Sequence, residues 1–191
     1  MADSELTRTH NGAVIPHPGV YTLDKAHTSV GFVVRHLMVS KVRGSFEEFE
    51  GTITVAEDPA ASSVTTTIQV GSITTRDEQR DAHLKSADFL EFDKYPTITF
   101  VSTKVVPAGG PDWKVEGDLT IHGVTKPVTL DLEFNGASGD PWGGTRIGFS
   151  ATTEIDRDDY DVSFNMALET GGVMVSKNVK IEIEAEAVLQ A

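Results

Sequence analysis

Cysteine is absent from the 191 residues, which excludes disulfides and thiolate metal sites. No stretch approaches the roughly 18 uninterrupted apolar residues of a spanning helix, so no transmembrane segment is expected. The opening MADSELTRT lacks the basic and apolar regions of a secretory signal, and a cytoplasmic location is the corresponding expectation. Basic residues are scarce, with 16 Lys and Arg against 29 Asp and Glu and a formal net charge of −13. Such a surface repels polyphosphate backbones and anionic headgroups, so nucleic acid is not an expected partner. The acids are scattered and read first as a solvated face.

Motifs for several chemistries are missing too. The chain has no GxxxxGK(S/T) loop, no GxSxG elbow and no HExxH pair. GVTKP at 123–127 reads as a turn between strands, not as a phosphate cradle. His27, His36, His83 and His122 fall at no short ligand spacing, so neither a metal site nor a required cofactor is expected, and no residue is assigned as catalytic.

What the chain does have is alternation at period two, interrupted by Gly, Pro and Asp, the pattern of half-buried antiparallel strands. Val30, Phe32, Val34 and His36 share a face, and Val42, Gly44 and Phe46 resume it after a break at 38–41. Phe49, Gly51, Ile53 and Val55 continue on the opposite parity, which predicts a bulge near Glu47 and Glu48. Further strands are marked by Val64 to Val70, Ile98 and Phe100, Trp113 to Ile121, Val128 to Phe134, Thr145 to Ala151 and Val179 to Ala187. Arg76 to Leu90 reads as a short helical insertion. The stretch 156–170, followed by Gly171-Gly172, reads as a long loop of the kind that covers an opening. Residues 1–18 are polar, carry Pro16 and Pro18 and show no regular period, so they read as a flexible arm, with one domain over 19–191.

The predicted fold is therefore all-β, an eight-stranded antiparallel barrel with a short helical insertion. A barrel of this size is either filled by side chains or holds one small ligand. Periodicity alone leaves that choice open, because strand phenylalanines serve ordinary cores as well. Arg76, Asp77, Arg80, Asp81 and His83 form the densest polar cluster. It reads either as intrahelical ion pairs or as Arg80 and His83 at a pocket mouth, meeting a ligand's polar head.

YTLDKAHTSVGFVVRH at 21–36, RDAHLKSADFLEFDKYPTITF at 80–100 and GDLTIHGVTKPVTL at 117–130 occur in this order. Together they resemble the YceI-like family of lipocalin-like barrels over residues 19–188. The resemblance implies an elongated apolar cavity that takes polyisoprenoids or similar long-chain lipids. By motif position it carries over Phe32, His36, Phe46, Arg80, Asp81, His83, Leu84, Phe89 and Phe100. The resulting candidate wall is Phe32, Val34, Phe46, Phe100, Leu119, Leu130, Leu132, Phe149 and Met166, and the candidate polar head site is His36, Arg80, Asp81 and His83. Many members of the family are exported to the periplasm.

The function expected is binding, storage or transport of a polyisoprenoid, isoprenoid quinone or related lipid. Two other readings stand beside it. One is a lipid-modifying enzyme with His36, Asp81, His83 or Arg157 clustered at the cavity head. The other is a solid barrel acting as a protein-interaction module, with self-association into a homodimer as one form of it.

Overall fold

The computed structural model describes residues 5–191. Its longest-range organiser is the last strand. Asn178–Leu189 (β13) alternates Val179, Ile181, Ile183, Ala185 and Ala187 with Lys180, Glu182, Glu184 and Glu186, so one face goes to the interior and the other to water. One edge of β13 pairs along its length with Thr145–Asp156 (β12). The other edge takes two strands end to end, Ser29–His36 (β4) and Gly19–Leu23 (β3).

The same doubling recurs next door. Ser40–Phe46 (β5) pairs with β4, while Phe49–Val55 (β6) pairs with β3. Ser63–Gln69 (β7) follows on β6, and the short Ile73–Thr74 (β8) on β5. Thr97–Gly109 (β9), Asp112–Ile121 (β10) and Val124–Gly139 (β11) complete the circuit back to β12. The result is a closed barrel of eight strand positions, antiparallel throughout. The parity switch at Glu47 and Glu48 lies where β5 gives way to β6. The extra residues sit on the partner side, in the turn Val70–Ser72, where Ser72 accepts from the N–H groups of Glu47 and Glu48 through its carbonyl and hydroxyl oxygens.

Glu78–Lys85 (α1) is the helical insertion, capped by Asp77, whose side chain accepts from the Arg80 N–H. It sits at one end of the barrel with His36, the loop 161–177 and the starts of β9 and β11. We call this end the mouth. Two glycines make room for aromatic rings inside the wall. A Cβ on Gly44 would lie 2.2 Å from Phe32 Cζ, and one on Gly117 would lie 2.4 Å from Phe100 Cζ, so each ring rests directly on neighbouring backbone.

The segment before Gly19 departs from its expected irregularity, although residues 1–4 of that arm lie outside the described residues. Thr7–His10 (β1) and Ala13–Pro16 (β2) form a hairpin. Its turn is Asn11-Gly12, with φ of 49° and 83°, the pairing that a two-residue hairpin loop favours. Ile15 is 2% exposed, and Arg8 ties the hairpin down by donating to the carbonyl of Ala56 at 2.7 Å. Since Gly19 pairs with Val55 at the end of the barrel remote from α1, the hairpin covers that far end.

The far rim is held by Arg146, whose Nη1 lies 2.5 Å from Asp24 and 2.6 Å from Glu186 and whose Nε lies 3.0 Å from Asp140. Asp24, His27 and Glu186 place ligand atoms within 4.8 Å of one another, but the cation among them is this guanidinium. Hydrogen bonds from Arg146 and then His27 hold the Asp24 carboxyl down from 3.8 to about 2. Its contribution to stability is therefore complete above the ordinary value and drains as pH falls toward the lowered one. In Arg146→Met the thermal midpoint is expected to fall most at neutral pH, and the gap from the parent protein to close between pH 3.8 and about 2. A gap of constant size across a pH series of melting curves would contradict this.

The tip of the β4–β5 hairpin is strained. Leu37 and Met38 have φ of 51° and 62°, and the Val39 N–H returns to the His36 carbonyl at 3.1 Å. Left-handed backbone costs a residue with a Cβ roughly 1–2 kcal/mol, and a tight turn of this hand prefers Asn-Gly.

Candidate ligand-binding cavity

The barrel is hollow. A cavity of about 680 Å³ runs from Ile15, Pro16, Val55 and Trp113 at the far end to His36, Arg80, His83 and Arg157 at the mouth. That volume lies within the range of roughly 300–1,000 Å³ usual for small-molecule sites. The wall is supplied by the inward faces of the strands, with Ile181, Ile183 and Ala185 of β13 and Ala151 and Thr153 of β12 among the contributors. Small residues such as Ala151 and Ala185 stand where larger ones would fill the bore.

Phe32, Val34, Phe46, Phe100, Leu119, Leu130, Leu132 and Phe149 all line this space. Met166, expected on the wall, does not. It is 57% exposed, because its backbone pairs with Met174, and it is Met174 that faces the cavity.

The expected head site divides in the same way. His36, Arg80 and His83 stand at the mouth. Asp81 is absent from the lining because its Oδ1 accepts from both the N–H and the hydroxyl of Thr75, at 2.8 and 2.6 Å. Arg80 shares that duty, with Nε and Nη2 donating to Thr75 at 2.7 and 2.9 Å. His83 is 2.8 Å from Asp88 and stacks edge-on with Phe89 and Phe164 at centroid distances of 5.0 and 5.1 Å. Much of the cluster thus anchors α1 to the rim. No hydrogen bond among the described residues joins any two of His36, Asp81, His83 and Arg157; the carboxylate on His83 is that of Asp88.

At the same end two further groups stand out. Arg157 is 6% exposed, and three of its N–H groups serve the carbonyls of Ser176, Val162 and Val175 at 3.0, 2.6 and 3.4 Å. A guanidinium has five N–H groups, so donor capacity is left over, and it forms no ion pair with a carboxylate among the described residues. Burial lowers its pKa, opposed by Asp158 and Asp156. Tyr160 is 2% exposed, lines the cavity, and has a buried hydroxyl without a partner. Burial, then the nearby Asp159, pushes this phenol up to about 12, so at neutral pH it is a donor in want of an acceptor. Sequence reasoning missed Tyr160 as a site residue. The available signal was a lone aromatic inside the acidic run DRDDYD at 156–161.

Arg80 and Arg157 bring positive charge to the mouth of a cavity in a chain of net charge −13. The YceI-like domain family matches residues 21–187. The chain belongs to the YceI-like family. A UPF0312 protein of Staphylococcus aureus strain MSSA476 is 47% identical over 171 residues, covering 87% of this chain and 95% of that one. The crystal structure of a Campylobacter jejuni YceI protein superposes with a TM-score of 0.71 at 35% identity, covering 90% of this chain and 98% of that one. A polyisoprenoid binding domain from Saccharophagus degradans shares the fold at a TM-score of 0.69 and 17% identity, over 91% of this chain and 100% of that one. The YceI-like match starts beyond the hairpin Thr7–Pro16, so the far-end cover lies outside it. No helix among the described residues is long and apolar enough to cross a membrane.

Proposed function

We propose that this YceI-like protein carries a single long-chain apolar molecule, a polyisoprenoid or an isoprenoid quinone, with its tail in the barrel and its polar head near Arg157 and Tyr160. The observation that carries this is the continuous apolar cavity of about 680 Å³. Each buried methylene contributes about 0.8 kcal/mol, and association costs roughly 4–15 kcal/mol, so chains much shorter than about ten carbons gain little. The unpartnered Tyr160 hydroxyl and the spare Arg157 donors favour a head that offers acceptors, as a quinone carbonyl does. The polyisoprenoid binding domain of S. degradans, alike in fold, is consistent with that ligand class.

Native mass spectrometry of freshly purified protein, with organic extraction of whatever is released, tests the reading. A copurifying isoprenoid or acyl lipid is the expected result, and the same spectrum reports any dimer. A bare mass that persists after incubation with a long-chain quinone would replace the carrier with an interaction module.

A further inference from the structure

Exposed apolar side chains are mostly scattered singly, as Val20, Val101 and Trp142 are. The tip of the β4–β5 hairpin differs. Leu37, Met38 and Val39 are consecutive and are 40%, 53% and 80% exposed. The Leu37 N–H bonds to the Met174 carbonyl at 2.8 Å and the Met174 N–H to the Met166 carbonyl at 3.0 Å, so the exposed Met166 extends the same patch. The patch borders the mouth, since His36 and Met174 line the cavity.

Charge marks the same place. Arg35 and Lys41 face each other across the hairpin immediately below the tip, both exposed and neither in an ion pair among the described residues. Like charges directly opposite destabilise a sheet. From Arg35 to Arg43 the chain has three Lys or Arg and no acid, against a total of −13, and of the three only Arg43 is paired, with Glu182 at 3.1 Å. The turn itself holds Leu-Met where its left-handed backbone favours Asn-Gly. Local preference, sheet electrostatics and solvation are all sacrificed at one lip, which is the mark of a surface kept for something outside the chain.

We propose that the mouth docks on an anionic lipid bilayer, with Leu37, Met38, Val39 and Met166 entering the interface and Arg35 and Lys41 meeting the lipid phosphates. Apolar insertion combined with a basic flank is how a surface binds such a membrane. Acidic residues of α1 and of the loop 161–177 also stand at the mouth, so the contact is confined to the tip. The purpose rests on the carrier reading: a long apolar chain has almost no free concentration in water and is acquired where it is dissolved.

The test is co-sedimentation of the full chain with phosphatidylcholine vesicles, with and without phosphatidylglycerol and free of isoprenoid. Binding is expected only with phosphatidylglycerol and is expected to weaken with salt. Arg35→Gln with Lys41→Gln is expected to lower it roughly twenty-fivefold, at about fivefold per cation. Leu37→Asn with Met38→Gly is expected to lower it as well, yet to melt above the parent protein because the turn is relieved, so the loss is not misfolding. Iodide quenching of Trp142, 85% exposed on the turn between β11 and β12 at the far end, is expected to be the same with and without vesicles.

Absence of parent binding, variants that bind like the parent, or shielding of Trp142 would each overturn mouth-first docking. A dimer in solution that these tip variants dissolve would instead assign the patch to a second copy. Uptake of a long-chain quinone from detergent, expected to survive Leu37→Asn with Met38→Gly, tests the carrier reading by itself.

Discussion

Replacement of Ala151 by tryptophan is expected to abolish uptake of a long-chain quinone from a barrel that still folds. Ala151 is 5% exposed, lines the cavity, and stands in register between Leu132 and Ile183 in the middle of β12. An indole there projects into empty bore, so the overpacking cost of roughly 1–3 kcal/mol seen in filled cores is softened. A tail stopped about five methylenes short loses roughly 4 kcal/mol, near a thousandfold in affinity. Titration of the delipidated protein reads the effect, and near-ultraviolet circular dichroism reports the fold. Ala185→Trp, on the neighbouring strand and also on the wall, is expected to behave alike. If both variants take up quinone as the parent does, the occupant does not pass this level of the barrel.

Arg157→Met is expected to cost about 3 kcal/mol of stability. One guanidinium serves the carbonyls of Val162, Val175 and Ser176 and so pins both ends of the loop that lies along the mouth. The Val175 carbonyl keeps Asn165 Nδ2 as a donor at 2.7 Å, but those of Val162 and Ser176 are left without one, at roughly 1–3 kcal/mol each, and partial relaxation of the loop recovers some of the sum. Arg157→Lys is expected to rescue little, since one ammonium on a flexible stem cannot reproduce a planar fork. Urea unfolding with an unchanged m-value would show the loss as a lower midpoint. A change under about 1 kcal/mol would mean that the loop holds without its pin.

The readability of this molecule follows the period of its sequence. β13 and β10 were open to inspection because apolar and polar residues alternate over their whole length, and the wall residues Phe32, Leu119 and Leu130 come directly from that alternation. The hairpin at 7–16 escaped because Thr7 and Ile15 bury themselves without an alternating neighbour to announce it. Its one clear signal was Asn11-Gly12, a turn dipeptide flanked by too little pattern. The division of labour at α1 was also hidden: Arg80 and Asp81 look alike as a ligand's head site in sequence, but Asp81 is turned onto Thr75 and away from the cavity while Arg80 bonds Thr75 and still lines it. Arg157 and Tyr160 lie where alternation stops, in a turn whose burial depends on strands remote in the chain.

The hairpin over the far end makes the barrel a blind tube, and a blind tube has its own kinetics. With Ile15 and Pro16 forming the floor, a new occupant cannot push the old one out ahead of it. On the carrier reading, exchange would proceed by departure first, at a rate independent of how much free lipid is offered. A loaded molecule would then be refractory until it empties, and the order of events at the mouth, release and then capture, would be set by ten residues that the family match does not include.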